Sequence, residues 1–246
     1  MSGRVGSITT DIIEDGLILN MDAANRASYI PYATASYNTL DLSQSGSLYN
    51  DTNFITQPVS ASCWDFDGVD DYIDCGISPL YRLSLYSFSI CAWGYITISN
   101  LNGVAKGLVG TAWDPSSGGF WLAFDDRGGV TSPDNGVAWF VKNTGGYSRG
   151  RTDNDVITGD GWYNVVLTYD SVTSKCYVNG VESTNLTTNQ SGNYSPKNAI
   201  LTIGAIIYSN PEGDMLGQIS NTQIYNHALS ASEVLHNYNA LKGRFV

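Results

Sequence analysis

Five aspartates crowd one short stretch of the sequence, WDFDGVDDYIDCG, residues 64–76. They are Asp65, Asp67, Asp70, Asp71 and Asp74. Carboxylates this close together can act as a general acid and base, bind calcium through their oxygens, or accept backbone N–H groups at a turn. The Asp67-Gly68 pair favours a turn, because this dipeptide suits a tight reversal of the chain. The sequence predicts a structural turn here, with calcium binding as the alternative.

Acid catalysis of the glycosidase type is not predicted. A glycosidase needs two carboxylic acids that flank one glycosidic bond at a fixed separation. The chain has four glutamates, and no two of them share a predicted strand: Glu14, Glu182, Glu212 and Glu233. The histidines His227 and His236 both fall in the C-terminal segment, where neither is placed to activate a serine. We therefore predict that the protein is not an enzyme, and we assign no catalytic residue.

Carbohydrate binding is the second chemistry that the residue types allow. Aromatic rings stack on sugar rings while Asn and Asp side chains bind the hydroxyls. Trp113 in GTAWDPSSGG and Tyr147 in NTGGYSRGR lie among glycines and serines, where a large ring has no core to fill. We take both as candidate carbohydrate-binding residues. Rings that tuck their loops onto the fold, or pack on a neighbouring subunit, are the open alternative.

Short β-strands must position these residues. Apolar and aromatic runs bounded by turn residues recur from about residue 64 to 225. In YSFSICAWGYITI, residues 86–98, Phe88 and Ile90 alternate with Cys91 and Trp93, which predicts a strand buried on both faces. Four tryptophans stand in segments typical of a core: Trp64, Trp93, Trp139 and Trp162. The Asn-Gly pairs at 102–103, 135–136 and 179–180 favour hairpin turns, most clearly the last.

The ends of the chain differ from this β-rich middle. A helix is predicted in SASEVLHNYNALKG, where Ser230 can cap the first turn, Glu233 stands three residues on, and Gly243 closes the helix. Residues 29–58 lack a sustained period and are predicted to be a long surface excursion. Residues 1–15 are predicted to be a polar arm, and residues 16–246 a single domain.

Composition excludes several classes of function. With 246 residues and 42% hydrophobic residues the chain can bury a sizeable core. Its net charge of −11, without a Lys/Arg run, repels phosphate backbones and argues against nucleic acid. Neither an eighteen-residue apolar run nor a signal peptide is present, so we expect no membrane insertion and synthesis in a cytoplasm. The four cysteines form no CxxC pair and are expected to be reduced core residues.

Six segments, taken in order, resemble the concanavalin A-like lectin/glucanase superfamily. They are GLILNMDAAN, WDFDGVDDYID, SFSICAWGYI, GWYNVVLTYDSVTSKCYVNGVES, LTIGAI and GQISNTQIYNHALSASEVLHNYNALKGRF. Within it they resemble the laminin-G-like jellyroll group of bacterial surface proteins and bacteriophage structural proteins. The resemblance covers residues 16–246 and implies an all-β, two-sheet antiparallel jellyroll sandwich with a short C-terminal helix. It also implies that Phe66 and Tyr72 point inward. Where many relatives read IDEVRIYN, this chain has ISNTQIYN, so Ser220 and Asn221 replace an acidic pair; we assign no metal ligand and expect no cofactor.

The terminal IYNHALSASEVLHNYNALKGRF is similar to virion-associated members. The resemblance therefore implies a non-enzymatic bacteriophage structural protein, a capsid decoration or a tail- or fibre-associated protein, that also binds a glycan on the host surface. It would be made in the host cytoplasm and located in the virion. Its expected partners are other virion proteins or sister subunits of a homo-oligomer, attached through the arm, where apolar and polar residues alternate at Val5, Ile8, Ile12 and Ile13. An arm that only adds a strand to its own sandwich is the open alternative. A bacterial carbohydrate-binding module or lectin is the alternative, and a glycoside hydrolase a minor one.

Overall fold

The computed structural model describes residues 12–30, 32–56, 62–77, 86–111, 118–127, 135–152, 155–196, 200–206 and 213–245. Within these ranges seventeen strands form two antiparallel sheets, and an α-helix follows the last strand. No helix of the described residues is long and apolar enough to span a membrane. The two sheets and the C-terminal helix confirm the predicted fold class.

The first sheet contains eight strands. They are β1 (Leu17–Asp22), β4 (Asn53–Ile55), β5 (Cys63–Asp67), β7 (Phe88–Ile96), β12 (Gly161–Tyr169), β13 (Ser174–Val178), β14 (Val181–Glu182) and β17 (Leu216–Tyr225). Their order is β14-β13-β12-β7-β17-β5-β4, and β1 pairs with β17. The strands β7 and β12 are opposed over nine residues, from Phe88 opposite Tyr169 to Ile96 opposite Gly161.

The second sheet contains nine strands. They are β2 (Ala35–Asn38), β3 (Asp41–Tyr49), β6 (Tyr72–Asp74), β8 (Lys106–Thr111), β9 (Phe120–Asp125), β10 (Gly136–Asn143), β11 (Gly146–Arg151), β15 (Asn185–Asn189) and β16 (Leu201–Ile203). Their order is β15-β11-β10-β9-β8-β16-β6-β3-β2. The neighbouring strands β9, β10 and β11 carry Tyr147 and the residues around it.

The core lies between the two sheets and follows the two-residue period of the strands. Phe88 and Ile90 of β7 belong to it, whereas Cys91 and Trp93 pack on the opposite side of the same strand, as predicted. Three of the four predicted core tryptophans are buried, and Trp162 is half-buried. All four cysteines are buried and unpaired, and burial raises the pKa of the Cys63 thiol to about 12.

The helix α1 (Ala231–Leu241) begins with the predicted capping box. Ser230 Oγ accepts the Glu233 N–H at 3.3 Å, and the Ser230 N–H donates to Glu233 Oε2 at 2.8 Å. Instead of ending sharply at Gly243, the chain continues into a 3₁₀ turn, Lys242–Arg244. The buried faces of Val234 and Leu241 place this helix against the outer face of the first sheet.

Two local predictions differ from the structure. The excursion at residues 29–58 contains strands β2, β3 and β4, because sheet edges supply pairing partners that no sequence period reveals. Of the three Asn-Gly pairs, 179–180 forms the expected hairpin turn, with φ of 52° at Asn179 and 79° at Gly180. The pair 102–103 lies on the connection from the first sheet to the second, and Gly136 is already the first residue of β10.

Candidate functional site

The acidic turn, residues 67–71, connects β5 of the first sheet to β6 of the second. Asp67 Oδ1 accepts the Val69 N–H at 2.8 Å, and Asp71 Oδ2 accepts the Asp67 N–H at 3.0 Å. Gly68 has a φ of 77°, which glycine adopts without strain. The predicted turn is therefore present, and its carboxylates accept backbone N–H groups as expected.

One detail of this region was predicted wrongly. Phe66 is in the core as expected, but Tyr72 is half-buried and stacks on Tyr49 with ring centroids 4.8 Å apart. Ile73 takes the inward position instead. The reason is that the chain passes from one sheet to the other between Phe66 and Tyr72, so the alternation along β5 does not continue into β6.

The acidic turn also has the electrostatics of a cation site. Carboxylate oxygens of Asp67, Asp70 and Asp71 lie within 4.8 Å of one another. Asp71 is 2% exposed, and its Oδ1 is buried without a hydrogen-bond partner. Burial, and then the charges of Asp67 and Asp70, raise the Asp71 pKa, although the Asp67 N–H opposes them. These three residues fit calcium as ligands, because it binds carboxylate oxygens and an orphaned buried oxygen is free to coordinate it.

The glutamates that the structure describes are placed for other tasks. Glu182 pairs with Lys175 at 3.1 Å, and Glu233 belongs to the capping box. Glu14 is exposed before β1, and Glu212 lies outside the described residues. No two glutamates of the described ranges face each other across a cleft on one strand, and the prediction that the protein is not an enzyme stays a prediction.

Of the two candidate carbohydrate-binding residues, the structure describes Tyr147 and not Trp113, which lies outside the described residues. Tyr147 is half-buried near the start of β11. Its ring stacks on Phe140, with centroids 5.5 Å apart and planes at 28°, and the Arg149 guanidinium lies 5.6 Å from its centroid. Tyr147 therefore does lie against its own fold, but on a face that points away from the core.

We call this surface the aromatic–arginine face, formed by Trp121, Phe140, Tyr147, Arg149 and Arg151. Strand register builds it: in β10, Phe140 stands opposite Trp121 of β9 on one side and Arg149 of β11 on the other. Trp121 and Phe140 stack with centroids 6.4 Å apart and planes at 11°. Three rings thus form a row across neighbouring strands, in which Phe140 is buried and the rings at the two ends, Trp121 and Tyr147, are half-buried.

Sequence reasoning missed Trp121 and Phe140, although a signal for both was present. In FWLAFD and GVAWFVKN the core residues Leu122, Trp139 and Val141 alternate with them at a period of two. Two-residue alternation places Trp121 and Phe140 on the outer face. An aromatic ring at an outward strand position, where a polar residue is usual, indicates a surface that another segment covers or that binds a ligand.

An ion-pair cluster adjoins the rings. The Asp125 carboxylate accepts hydrogen bonds from Arg127 Nε at 2.8 Å and from Arg151 Nη2 at 3.0 Å. Burial by itself would raise the Asp125 pKa, but the hydrogen bonds and charges of Arg127 and Arg151 outweigh burial and lower it. The carboxylate therefore stays ionised and holds both guanidinium groups in place. A flat ring row beside fixed hydrogen-bond donors can stack on a sugar and bind its hydroxyl or acidic groups.

The end of the predicted arm packs on the domain itself. The Ile13 N–H donates to Asn237 Oδ1 at 2.8 Å, and Tyr225 Oη donates to the Ile13 carbonyl at 3.0 Å. Ile12 is buried against Trp93 and Leu241. The other alternating residues of the arm, Val5 and Ile8, lie outside the described residues.

The antiparallel two-sheet sandwich with an outward aromatic face defines a lectin-like jellyroll. A family model described as the concanavalin A-like lectin/glucanases superfamily, of laminin G type, matches residues 67–235. The chain belongs to this superfamily, which confirms the predicted resemblance. A comparison with curated protein sequences gave no match.

Solved structures with the same fold come from diverse proteins. Domain 4 of AbnA, an extracellular arabinanase from Geobacillus stearothermophilus, in complex with arabinotriose, is similar at a TM-score of 0.59 and 17% identity, covering 92% of this chain and all 100% of that domain. The botulinum neurotoxin serotype D ligand-binding domain in complex with N-acetylneuraminic acid is similar at a TM-score of 0.62 and 17% identity, covering 95% of this chain and 52% of that one.

A third similar structure is a Trypanosoma rangeli sialidase with the inhibitor DANA, at a TM-score of 0.60 and 17% identity. It covers 92% of this chain, which spans 33% of the sialidase chain. Likeness at this identity shows the fold that the proteins share.

Proposed function

We propose that this chain is a non-enzymatic, carbohydrate-binding structural protein of a bacteriophage particle, either a capsid decoration or a tail- or fibre-associated protein. The observation that carries the binding role is the aromatic–arginine face. Its rings stack in a row on the outer side of three paired strands, and Asp125 fixes two arginines beside them. The domain would present this face outward, to glycans on the host surface.

The fold comparisons support the binding role. Jellyrolls of the same fold in the arabinanase and the neurotoxin were solved with arabinotriose and with N-acetylneuraminic acid. These sugars differ in charge and size, so the fold is compatible with glycan recognition without fixing which sugar binds. The row of rings in this chain suits a sugar that lies across the strands rather than one buried in a deep cavity.

The virion role rests on the sequence of the C-terminal segment, which is similar to that of virion-associated jellyrolls. We propose that the protein is made in the host cytoplasm and joins the particle as a homo-oligomer through residues 1–11. A bacterial carbohydrate-binding module or lectin would use the same face without a particle. A glycoside hydrolase would need an acid pair that the glutamates of the described residues do not form.

A printed array of bacterial and mammalian glycans tests the binding role. The intact chain should bind a subset of glycans, and Tyr147→Ala should remove most of that signal, because the ring forms the outer part of the row. Tyr95→Ala is the matched control, since Tyr95 is a half-buried outward tyrosine of the first sheet with its ring 5.7 Å from that of Trp162. Equal loss in both variants, or no binding by the intact chain, would contradict the proposal.

Mass spectrometry of purified bacteriophage particles tests the virion role. The protein should appear among the structural proteins at a copy number that reflects a symmetric assembly. Deletion of residues 2–11 should prevent incorporation while the purified domain stays folded. Glycan binding by a protein that no particle contains would instead favour the bacterial lectin. Release of reducing ends from a polysaccharide would overturn the non-enzymatic role.

A further inference from the structure

A tyrosine occupies a turn position where glycine is usual. The Ala33 N–H donates to the Ile30 carbonyl at 3.0 Å and closes a four-residue turn. Tyr32, the third residue of that turn, has a φ of 72° and is 100% exposed. A positive φ at this position favours glycine or asparagine, because a Cβ atom crowds the backbone there. The turn therefore holds a large ring in solvent at a conformational cost that packing does not explain.

The exposed ring of Tyr32 stands at the rim of a cavity of about 240 Å³. We call this cavity the tyrosine pocket; its lining residues are Tyr29, Tyr32, Ala33, Thr52, Asn53, Phe54 and Thr56. The Tyr29 and Phe54 rings, 4.6 Å apart, give it an aromatic wall, and Tyr29 Oη donates to the Ala33 carbonyl at 3.1 Å, which braces the turn. The pocket is thus built from both ends of the 29–56 segment.

The polar groups of the tyrosine pocket are neutral. Asn53 Oδ1 accepts the Phe54 N–H at 2.8 Å, so its amide NH₂ is the group left to donate to a ligand. Among the described residues that line it there is no Asp, Glu, Lys, Arg or His. Its volume lies below the usual range of about 300–1,000 Å³ for pockets that enclose drug-sized ligands. An aromatic rim, uncharged donors and small size together suit one ring with hydroxyl groups.

We propose that the tyrosine pocket is a second carbohydrate site, which binds a single uncharged sugar unit with Tyr32 stacked on the sugar ring. The proposal rests on the carbohydrate role proposed above but not on the aromatic–arginine face. The pocket lies between β4, at the edge of the first sheet, and the segment that precedes β2, whereas that face is on β9, β10 and β11. The backbone strain at Tyr32 is retained because the ring serves ligand binding rather than folding.

Saturation-transfer NMR of the intact chain with D-glucose, D-galactose, D-mannose and L-rhamnose, each alone, tests the proposal. At least one of these sugars should give transfer, and Tyr32→Gly should weaken its binding about three- to tenfold, as expected for loss of one stacking ring. The same variant should raise the melting temperature by about 2–4 °C, because glycine relieves the strained turn. Tyr32→Phe should bind as the unchanged protein does.

Tyr37→Ala is the matched control, since Tyr37 is a 37%-exposed tyrosine of β2 that does not line the pocket. Four outcomes would overturn the proposal: no transfer to any of the four sugars, unchanged binding in Tyr32→Gly, equal loss in Tyr37→Ala, or a lower melting temperature in Tyr32→Gly, which would make Tyr32 a packing residue. Transfer that survives Tyr147→Ala but not Tyr32→Gly would separate this site from the aromatic–arginine face.

Discussion

The outer faces of the two sheets both carry aromatic rings, but what lies over the rings differs. On the first sheet, Trp93 is 2% exposed and lies between Phe245, at 4.1 Å, and Tyr238 of the helix, at 5.7 Å. On the second sheet, Phe140 is 3% exposed as well, whereas Trp121 and Tyr147, which stack on it from either side, are half-buried. Outward rings are thus a folding element where the helix covers them, and a candidate binding element where arginines border them.

The ion pairs of the two faces show the same contrast. Arg244 is 7% exposed and forms two hydrogen bonds of 2.8 Å to Asp22, which is 0% exposed. On the second sheet the side chains of Arg127 and Arg151 are 45% and 29% exposed, and both share Asp125. The buried pair fixes the C-terminal segment onto β1, whereas the arginines of the second sheet are partly exposed.

The largest expected effect is on Trp93. Trp93→Ala should lower the free energy of unfolding by about 3–5 kcal/mol, because it opens a cavity beneath the helix. Trp121→Ala should lower it by about 1 kcal/mol, since that ring is already partly in water. Equilibrium unfolding in guanidinium chloride measures both. Equal losses would mean that the two outer faces do not differ in the way described.

A smaller but still large effect is expected from the buried ion pair. Arg244→Met should cost at least about 3 kcal/mol, because it leaves the Asp22 carboxylate buried without its partner. Adding Asp22→Asn should restore part of the loss. The matched change on the other face, Arg151→Met, should cost less than about 1 kcal/mol, since Arg127 still holds Asp125 and solvent screens the charge. Thermal unfolding of the three variants measures these losses. A larger loss in Arg151→Met than in Arg244→Met would contradict the expected order.

The two acidic sites should respond to pH in opposite directions. The folded-state pKa of Asp71 is raised, so its ionised form opposes folding at neutral pH, and Asp71→Asn should stabilise the protein there by about 1 kcal/mol at most. This gain should vanish as the pH falls through the folded pKa. The folded-state pKa of Asp125 is lowered, so Asp125→Asn should destabilise at neutral pH, with the difference shrinking in acid. Melting temperatures of both variants and of the unchanged protein, measured between pH 3 and 8, show whether each substitution stabilises or destabilises the fold.

The smallest expected effect is that of metal removal. If the acidic turn is structural, treatment with EDTA should shift the melting temperature by less than about 2 °C. A ligand that binds only the folded state stabilises it by mass action. A loss of many degrees that calcium alone reverses would therefore identify Asp67, Asp70 and Asp71 as calcium ligands and contradict the structural assignment.

Local sequence patterns predicted those parts of the fold whose structure depends on residues close together in the chain. The alternation in β7, the capping box of Ser230 and Glu233 and the Asn179-Gly180 turn depend on neighbours in sequence. The strands β2, β3 and β4 were missed because their partners are distant sheet edges. Tyr72 was assigned inward because the passage from one sheet to the other is invisible in a two-residue pattern.

The candidate site was predicted only in part for a similar reason. Glycine-rich surroundings identified Tyr147, but its neighbours Trp121 and Phe140 come from strands whose register the sequence does not specify. Likewise, the residues near Tyr32 in sequence do not indicate that Phe54 of β4 lines the same pocket. Spacing along the chain indicates which residues face outward, while strand pairing determines which of them meet.

Hydrogen exchange of the intact chain, with and without the glycan that binds most strongly on the array, tests the central claim most directly. We expect slower exchange in Phe120–Asp125, Gly136–Asn143 and Gly146–Arg151, with no change in Phe88–Ile96 or Gly161–Tyr169. Protection confined to the strands of the first sheet, or absent from all three strands of the aromatic–arginine face, would contradict the assignment of glycan binding to that face.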